Sequence, residues 1–331
     1  MFSEVAVSPA CQSAVSPIGL LRSVCLQFLA TSQNADGGWG HHPGSESSVE
    51  ATAWALMALA GARSALDPAK ESARGFEWLH KVQLPDGSWP AFKGLPEGCW
   101  ATSLAGMALA ARGESAEQVA GGVKWLADAQ PGEATLWRRL QRRLSRGTSV
   151  ARANLSLHGW SWTPGTASWV EPTAYALIFL SSVPQSFHSA GTAKRILLAE
   201  SMLYDRMCPG GGWNSGNPEV YGVAGVPRAG PTAWALVALR HRASRPENRQ
   251  SLNWLEDHCS TIRGPASLAL LELALACYGR RVPALAAALG KLYGENRFFR
   301  SVLVFAWAAL ALGGKQPWSL PDHAQAGASE R

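Results

Sequence analysis

Two kinds of segment alternate along the sequence, and this repetition constrains the fold more than any other feature. The first kind contains an aromatic residue and Leu, then Gln, a Gly turn and Trp. It reads FLATSQNADGGW over 28–39 and WLHKVQLPDGSW over 78–89. Shorter or degenerate copies begin at Trp125, Met202 and Trp254. Repetition every few tens of residues indicates an array built from one structural unit.

A second, apolar segment follows each copy of the first. It reads TAWALMAL, TSLAGMAL, TAYALIFL, TAWALVAL, SLALLELA and FAWAALAL, starting at Thr52, Thr102, Thr173, Thr232, Ser267 and Phe305. Ala and Leu favour helix, and a helix that is apolar on all sides must be buried. The first segment is apolar on one face only, and its glycines stop a helix and form a turn. Each unit is therefore predicted to be an outer amphipathic helix, a turn and an inner apolar helix.

Six such hairpins can close into a ring or stack into a linear solenoid. Solenoids keep a steady period and polar end caps. Here the apolar segments start 50, 71, 59, 35 and 38 residues apart, and the inner helices are all apolar. We therefore predict an all-α fold, an (α/α)6 toroid of six helical hairpins, as a single domain over 1–318. Residues 319–331 are polar and rich in Gly and Ala, and we expect a disordered tail there.

One copy of the first segment matches a motif of a known superfamily. Residues 74–89, RGFEWLHKVQLPDGSW, match every defined position of the QW motif, and the copy that ends at Trp39 matches it in part. The sequence thus resembles the squalene and oxidosqualene cyclases and the β subunits of protein prenyltransferases. The resemblance implies a toroid whose apolar central cavity, lined by the inner helices, holds an isoprenoid chain. It is far less specific for chemistry than for fold.

Class II cyclases start their reaction by protonating an alkene with an Asp from a DxDDTA run at the start of an inner helix. The resemblance places Glu50, in SVEATA, at the position of that Asp, and both flanking carboxylates are missing. Glu171, in WVEPTA, occupies the same register in a second copy. We predict that Glu50 and Glu171 converge on one mouth of the cavity as a catalytic acid–base pair, because burial would separate their pKa values. The alternative is that each carboxylate only complements a helix N-terminus.

Aromatic side chains are predicted to bind the substrate, because aromatic faces stabilise carbocations. Some are on inner helices, and others are in or next to two long loops, 159–172 and 213–231, that we expect over the cavity mouth. The candidates are Trp54, Trp100, Trp160, Trp162, Trp169, Tyr175 and Trp234. The alternative is simple packing between barrel helices, which is slightly favoured for Trp160 and Trp162.

A basic insert at 131–158 accounts for the net positive charge of the chain. The net charge of +6 equals the six arginines between Arg138 and Arg152, where no acidic residue occurs. This single patch does not indicate a nucleic-acid-binding surface. A helix over LWRRLQRRLSR could lie on an anionic membrane, bind a diphosphate or contact an acidic partner. The residues predicted to make the membrane or diphosphate contact are Arg138, Arg139, Arg142 and Arg143.

No metal or cofactor is expected. The chain has no Asp-Asp pair of the kind that class I terpene synthases need, and its one Asp-x-Cys, at 257–259, is predicted to end an outer helix. The six cysteines are scattered, which suits a reducing compartment, and we find no signal peptide. The apolar run 301–312 is too short to cross a bilayer. We therefore expect a cytoplasmic protein, with or without peripheral contact at the membrane, and leave its oligomeric state open.

These observations favour an isoprenoid-acting enzyme, a class II cyclase-like isomerase or lyase with a Glu general acid. The missing DxDD favours the alternative, a non-catalytic toroid that binds an isoprenoid lipid or a partner protein. A carbohydrate-active (α/α)6 barrel ranks last, because it needs paired carboxylates in a polar, open cleft. A structure discriminates between the first two: an apolar cavity with Glu50 and Glu171 facing inward supports the enzyme.

Overall fold

The computed structural model describes residues 17–60, 68–113, 116–135, 153–313, 316 and 318. Within these residues, twelve α-helices alternate between an outer and an inner layer. The outer helices are α1 (Pro17–Thr31), α3 (Pro68–Val82), α5 (Ala116–Asp128), α7 (Ala190–Asp205), α9 (Pro246–His258) and α11 (Pro283–Asn296). The inner helices are α2 (Val49–Ala60), α4 (Ala101–Arg112), α6 (Val170–Ser181), α8 (Ala229–Ala238), α10 (Pro265–Cys277) and α12 (Val302–Ala311).

Each inner helix packs against the next one along the chain, and α12 packs against α2. The inner layer is therefore a closed ring, and the outer helices pack around it, each mainly against the inner helix that precedes it along the chain, with α1 against α12. This confirms the predicted (α/α)6 toroid of inner apolar and outer amphipathic helices. The described chain also forms one small antiparallel hairpin, β1 (Glu219–Val220) and β2 (Val223–Ala224), in a loop between helices.

The two layers follow from how their apolar residues are spaced. In α2, Glu50 is the one residue between Val49 and Leu59 that is not fully buried. In α5, by contrast, the buried residues Val119, Gly122, Val123 and Leu126 recur at three- and four-residue intervals. Such spacing makes one apolar stripe, which suits an outer helix that faces solvent on its other side.

The Trp that ends the first kind of segment joins an outer helix to an inner one. Its indole N–H donates to a Leu carbonyl at 2.6–3.0 Å, and its backbone N–H donates to the Thr hydroxyl of the following apolar segment at 2.9 Å. Both bonds recur at Trp39, Trp89, Trp160 and Trp213. The repeat motif is therefore a structural device that satisfies buried polar groups.

The Gln of the motif connects neighbouring outer helices. The amide nitrogen of Gln83 donates to the carbonyl of Gly87 at 3.0 Å and to that of Gln118, in α5, at 3.2 Å. Gln33 makes the equivalent bonds to Gly37 and to Glu71 in α3. The end of one outer helix is thereby tied to the start of the next.

A further set of backbone bonds links the starts of inner helices. At the starts of four inner helices, a backbone N–H donates to the carbonyl two residues after the repeat Trp of a neighbouring hairpin. The bonds run from Val49 to Ala91, Trp100 to Trp162, Val170 to Ser215 and Val302 to His41, at 2.9–3.2 Å. These helix starts therefore lie at one end of the barrel, which we call the mouth.

Several predictions fall on residues that the structure does not describe. Arg138, Arg139, Arg142 and Arg143 lie outside the described residues, as does the tail 319–331. The domain boundaries, the disordered tail and the role of the basic insert therefore stay predictions. Among the described residues, no helix is both long and apolar enough to cross a membrane.

Candidate functional site

Glu50 lies in the first turn of α2, with its side chain 19% exposed at the mouth. Its Oε2 is 3.9 Å from Nε2 of His41. Burial raises the pKa of Glu50 from 4.5 to about 7, because a low-dielectric surrounding disfavours the charged form. Burial also lowers the pKa of His41, and the neighbouring His42 lowers it further. Near neutral pH, Glu50 can therefore hold a proton beside a neutral imidazole.

Glu171 lies in the first turn of α6, in a more polar setting. Its Oε1 accepts a hydrogen bond from the Ser215 hydroxyl at 3.3 Å, whereas its Oε2 is buried without a partner. Burial raises the pKa of Glu171, although the Ser215 bond and the positive charge of Arg228 act in the opposite direction. Ser215 and Arg228 thus stabilise the ionised form of Glu171, whereas burial is the cause that acts on the pKa of Glu50. The two carboxyl groups therefore have different environments.

Tyr175 feels the charges of both carboxyl groups. It lies one turn after Glu171 in α6 and is buried. Burial raises its pKa well above 10, and the charges of Glu50 and Glu171 raise it further. Glu50 also raises the pKa of Cys99, although burial is the main cause there. The charges of both predicted carboxylates therefore act on one buried tyrosine.

Below the mouth, aromatic side chains fill the barrel axis. Trp54, Tyr175 and Trp234 occupy the same position in their apolar segments, and their rings meet at one level of the barrel. The ring centroids lie 5.0 Å apart for Trp54 and Trp234, and 5.2 Å apart for Tyr175 and Trp234. Trp307 from α12 and Trp318 lie 6.0 and 6.3 Å from Trp54. Rings at these separations are in contact, so the axis is closed at this level.

Two more predicted residues continue this cluster towards the mouth. Trp162 lies 5.3 Å from Trp100 and 6.4 Å from Tyr175, edge to face in both pairs. Five of the seven predicted aromatic residues therefore form one connected cluster. The members are Trp54, Trp100, Trp162, Tyr175 and Trp234.

The other two predicted aromatic residues lie elsewhere. Trp160 occupies the structural Trp position, where its indole N–H donates to the Leu126 carbonyl at 3.0 Å and the Arg195 guanidinium covers its ring at 4.6 Å. These contacts match the packing interpretation of Trp160. Trp169 is 37% exposed at the rim of the mouth.

An open pocket of about 380 Å³ is lined by residues next to Glu171. Its walls include Trp169, Ser215, Arg228 and the β1–β2 hairpin, within the long loop that the sequence places at the mouth. Ser215 and Arg228 are the residues that act on Glu171. The sequence did not single out these two residues, and it predicted His41 to be a solvated loop residue, whereas the structure places it beside Glu50. Their position in or beside loops that lead into inner helices was the available signal.

Nothing in the described chain suggests a metal site. No group of three or more His, Cys, Asp or Glu residues is placed there to hold an ion. Cys259 follows the last residue of α9 directly, as the sequence predicts, and carries a free thiol.

The closed toroid, with two partly buried carboxyl groups above an aromatic interior, can now be compared with known proteins. The family model described as the squalene-hopene cyclase C-terminal domain matches residues 19–98. Drimenyl diphosphate synthase from Streptantibioticus cattleyicolor is 40% identical over 74 residues, or 22% of this chain and 13% of that protein. Its namesake from Streptomyces showdoensis is 27% identical over 257 residues, or 66% of this chain and 46% of that protein. The chain spans less than half of the length of either relative.

Solved structures agree on the architecture. A type II terpene cyclase from Scytonema, in complex with geranylgeranyl dihydroxybenzoate, superposes with a TM-score of 0.61 at 16% identity, over 92% of this chain and 99% of that chain. A glycosidase superposes with a TM-score of 0.57 at 10% identity, over 94% and 100%. Similarities at such low identity show the fold alone.

The sequence matches favour the cyclases among proteins of this fold. They confirm the predicted resemblance to the squalene cyclase superfamily. The chain is therefore terpene cyclase-like in both sequence and fold.

Proposed function

We propose that this chain carries the acid site of a class II-like terpene cyclase, with Glu50 as the general acid. The observation that supports this most strongly is the burial that raises the pKa of Glu50 to about 7, at the position of the cyclase acid. A general acid works best when its pKa lies near the operating pH. The proton would pass from Glu50 to an alkene carbon, leaving a carboxylate and a carbocation.

The residues around Glu50 suit the later steps. The carbocation would form next to the aromatic cluster, where each ring face contributes about 0.5–2 kcal/mol of attraction to a cation. Ring closure then moves the charge without any change in oxidation state. Glu171, which Ser215 and Arg228 help to ionise, would accept the proton that leaves the product. The net reaction is an isomerisation, and a proton returned to Glu50 resets the site.

A carboxyl group with a pKa near 7 is a weak acid for an alkene, so the surrounding rings and the new carboxylate must stabilise the cation strongly. This requirement, together with the aromatic closure of the barrel axis, supports a second candidate function. In that case the toroid binds an isoprenoid without converting it.

Two observations indicate which class of isoprenoid substrate to test first. Both bacterial relatives are named drimenyl diphosphate synthases, and the mouth pocket contains the cationic side chain of Arg228. Prenyl diphosphates are therefore the first substrates to test, followed by squalene. The membrane or diphosphate contact of the basic insert remains part of this proposal, as does the cytoplasmic location.

The test is a product assay by gas chromatography–mass spectrometry after phosphatase treatment. The wild type should convert one of these substrates into a cyclic isomer of unchanged mass. Glu50→Gln should lose about 10²–10⁴-fold in rate, the range for a lost general acid. The matched control is Glu46→Gln, an exposed carboxylate in the loop that leads into α2, which should keep the wild-type rate.

Each other outcome has a clear meaning. Undiminished turnover by Glu50→Gln would place the acid elsewhere. Tight binding of an isoprenoid without turnover would favour the second candidate function.

A further inference from the structure

Arg195 is a buried cation that joins the end of α5 to the start of the loop 159–172. It lies in α7 and is 6% exposed. Its Nη2 donates to the carbonyl of Ala129, which directly follows α5, at 3.0 Å and to the carbonyl of Gly159 at 2.9 Å. Its guanidinium also covers the ring of Trp160. One side chain therefore holds the first two residues of the loop that leads into α6.

His158 completes this arrangement and is itself 4% exposed. Its Nδ1 lies 2.6 Å from Nη1 of Arg195. Burial lowers the pKa of Arg195 to about 10, so the guanidinium is still charged at neutral pH. A guanidinium offers only N–H donors, and the Nδ1 that faces it must therefore be the acceptor. His158 is thus a neutral imidazole with its proton on Nε2.

A proton on Nδ1 of His158 would break this hydrogen bond. The acceptor lone pair would be lost, and two cations would face each other at a distance of 2.6 Å. A like charge nearby disfavours the protonated form of a histidine, and burial disfavours it as well. The fold therefore opposes protonation of His158, although an ordinary histidine takes up a proton near pH 6.5.

The charges around this pair balance only while His158 is neutral. Glu133 acts on both Arg195 and Arg206, and Arg206 also pairs with Asp205. Two cations are thus matched by two carboxylates. Both carboxylates also accept backbone N–H bonds, at 3.0 and 2.9 Å. A proton on His158 would therefore add a positive charge that nothing in this network offsets.

Other charged groups lie on the helices packed against the pair. Within the described chain they are Glu117, Lys124 and Asp128 on α5, Glu171 on α6, and Lys194 and Glu200 on α7. Asp128 pairs with Lys124 at 2.9 Å, and Glu200 is bound by a histidine and an arginine at 2.7 and 3.0 Å. Glu171 accepts from Ser215, and Glu117 lies in the first turn of α5, far from Ala129. Residues 136–152, outside the described part of the chain, contain six arginines and no Asp or Glu. Arg195 is therefore the charge that faces His158 directly.

We propose that His158 and Arg195 form a pH-sensitive clasp on the loop 159–172. The clasp is closed while His158 is neutral and weakens when His158 takes up a proton. Because the loop carries Trp169 at the rim of the mouth and ends in the first turn of α6, the clasp keeps the mouth ordered at neutral pH and loosens it in acid. This inference needs no ligand and does not depend on the proposed function.

The size of the effect follows from the ordinary proton affinity of histidine. With the clasp open, His158 takes up a proton near pH 6.5, whereas with the clasp closed it does not. The open state therefore binds more protons, so the stability of the clasp is complete well above pH 6.5 and is lost as the pH falls below that value. The fraction of molecules with an open clasp should rise about tenfold between pH 7.5 and pH 5.5.

The test measures hydrogen–deuterium exchange in peptides from 159–172 of the full chain, with the intrinsic effect of pH on exchange corrected. In the wild type, the protection of these peptides should fall about tenfold between pH 7.5 and pH 5.5. In His158→Asn the side-chain oxygen can accept from Arg195 as Nδ1 does, and it has no proton to gain. Protection in this variant should change by less than about twofold over the same range.

Two further variants complete the design. Arg195→Met removes the cation, so its loop should exchange faster than that of the wild type at pH 7.5 and change little with pH, which also covers the case in which the Asn variant folds poorly. His241→Asn removes a histidine that faces the carboxylate of Glu200 instead, and it should keep the tenfold change. An equal change in the wild type and in His158→Asn, or no change in the wild type, would overturn the proposal.

A second readout follows the imidazole itself. Nitrogen-15 signals of His158 should show a neutral ring with its proton on Nε2 down to about pH 5.5, well below the ordinary value for histidine. A ring that titrates near pH 6.5 in the folded protein would also overturn the clasp. None of these measurements uses an isoprenoid, so their failure would leave the proposed acid site standing, and loss of the proposed activity would leave the clasp standing.

Discussion

The buried acid of Glu50 should cost the protein stability at neutral and alkaline pH, and replacing it should recover that stability. The folded carboxyl group has a pKa of about 7, against an ordinary value of 4.5. The folded protein therefore binds this proton more tightly than the unfolded chain does. The stabilisation is complete below pH 4.5 and is lost as the pH rises to 7. At about 1.4 kcal/mol per pH unit, the total loss is about 3 kcal/mol.

Glu50→Gln has no proton to lose at this position. Relative to the wild type, its free energy of unfolding should rise by about 3 kcal/mol between pH 4.5 and pH 8. Urea titrations followed by circular dichroism, at several pH values across this range, measure the difference. Other titrating groups cancel, because they are present in both proteins.

The matched control is again Glu46→Gln, whose carboxylate is exposed. Its stability difference from the wild type should not depend on pH. If the difference for Glu50→Gln is equally flat, the carboxyl group is not desolvated, and the main support for its role as a general acid is lost.

Three further predictions concern the fold. Thr102→Val removes the acceptor of the Trp89 backbone N–H and should lower the free energy of unfolding in urea by about 1–3 kcal/mol; a loss near zero would contradict the structural role of the motif. Gly106→Ala places a methyl group 2.3 Å from a ring carbon of Phe179. It should cost about 1–3 kcal/mol, measured by calorimetry and partly restored by Phe179→Leu. Asn248→Leu breaks the bonds of a buried amide to two backbone carbonyls, and a similar loss is expected in urea.

The toroid and the register of its acids could be predicted because the repeats encode them directly. An apolar segment that is buried on all sides indicates an inner helix, and the uneven spacing of the six copies favoured a closed ring over a linear solenoid. When the segments are aligned, residues at the same position in different copies are expected at the same level of the barrel. This is why Glu50 and Glu171 both lie at the mouth, and why Trp54, Tyr175 and Trp234 meet at one level.

Contacts made by loops could not be predicted in this way. The proximity of Ser215 and Arg228 to Glu171 depends on how one hairpin packs against another, and no periodicity records it. Trp160 is an instructive case, because the basic insert separates it from its own outer helix. The sequence feature that marks Trp160 as a structural Trp is its separation of 13 residues from Thr173. The same separation relates Trp39 to Thr52 and Trp89 to Thr102.

The closed inner ring also governs how such a chain can fold. Arg22, in α1, bonds to the carbonyl of Ala309, in α12, 287 residues further on, and α12 packs against α2. Contacts at such separations require the largest loop to close, and folding slows as they accumulate. During synthesis, the apolar side of α2 that packs against α12 therefore stays uncovered until α12 has been made. A circular permutant opened between α10 and α11 would keep every contact between inner helices. In that permutant the contact between α10 and α12, and not the one between α12 and α2, would join the two ends of the chain.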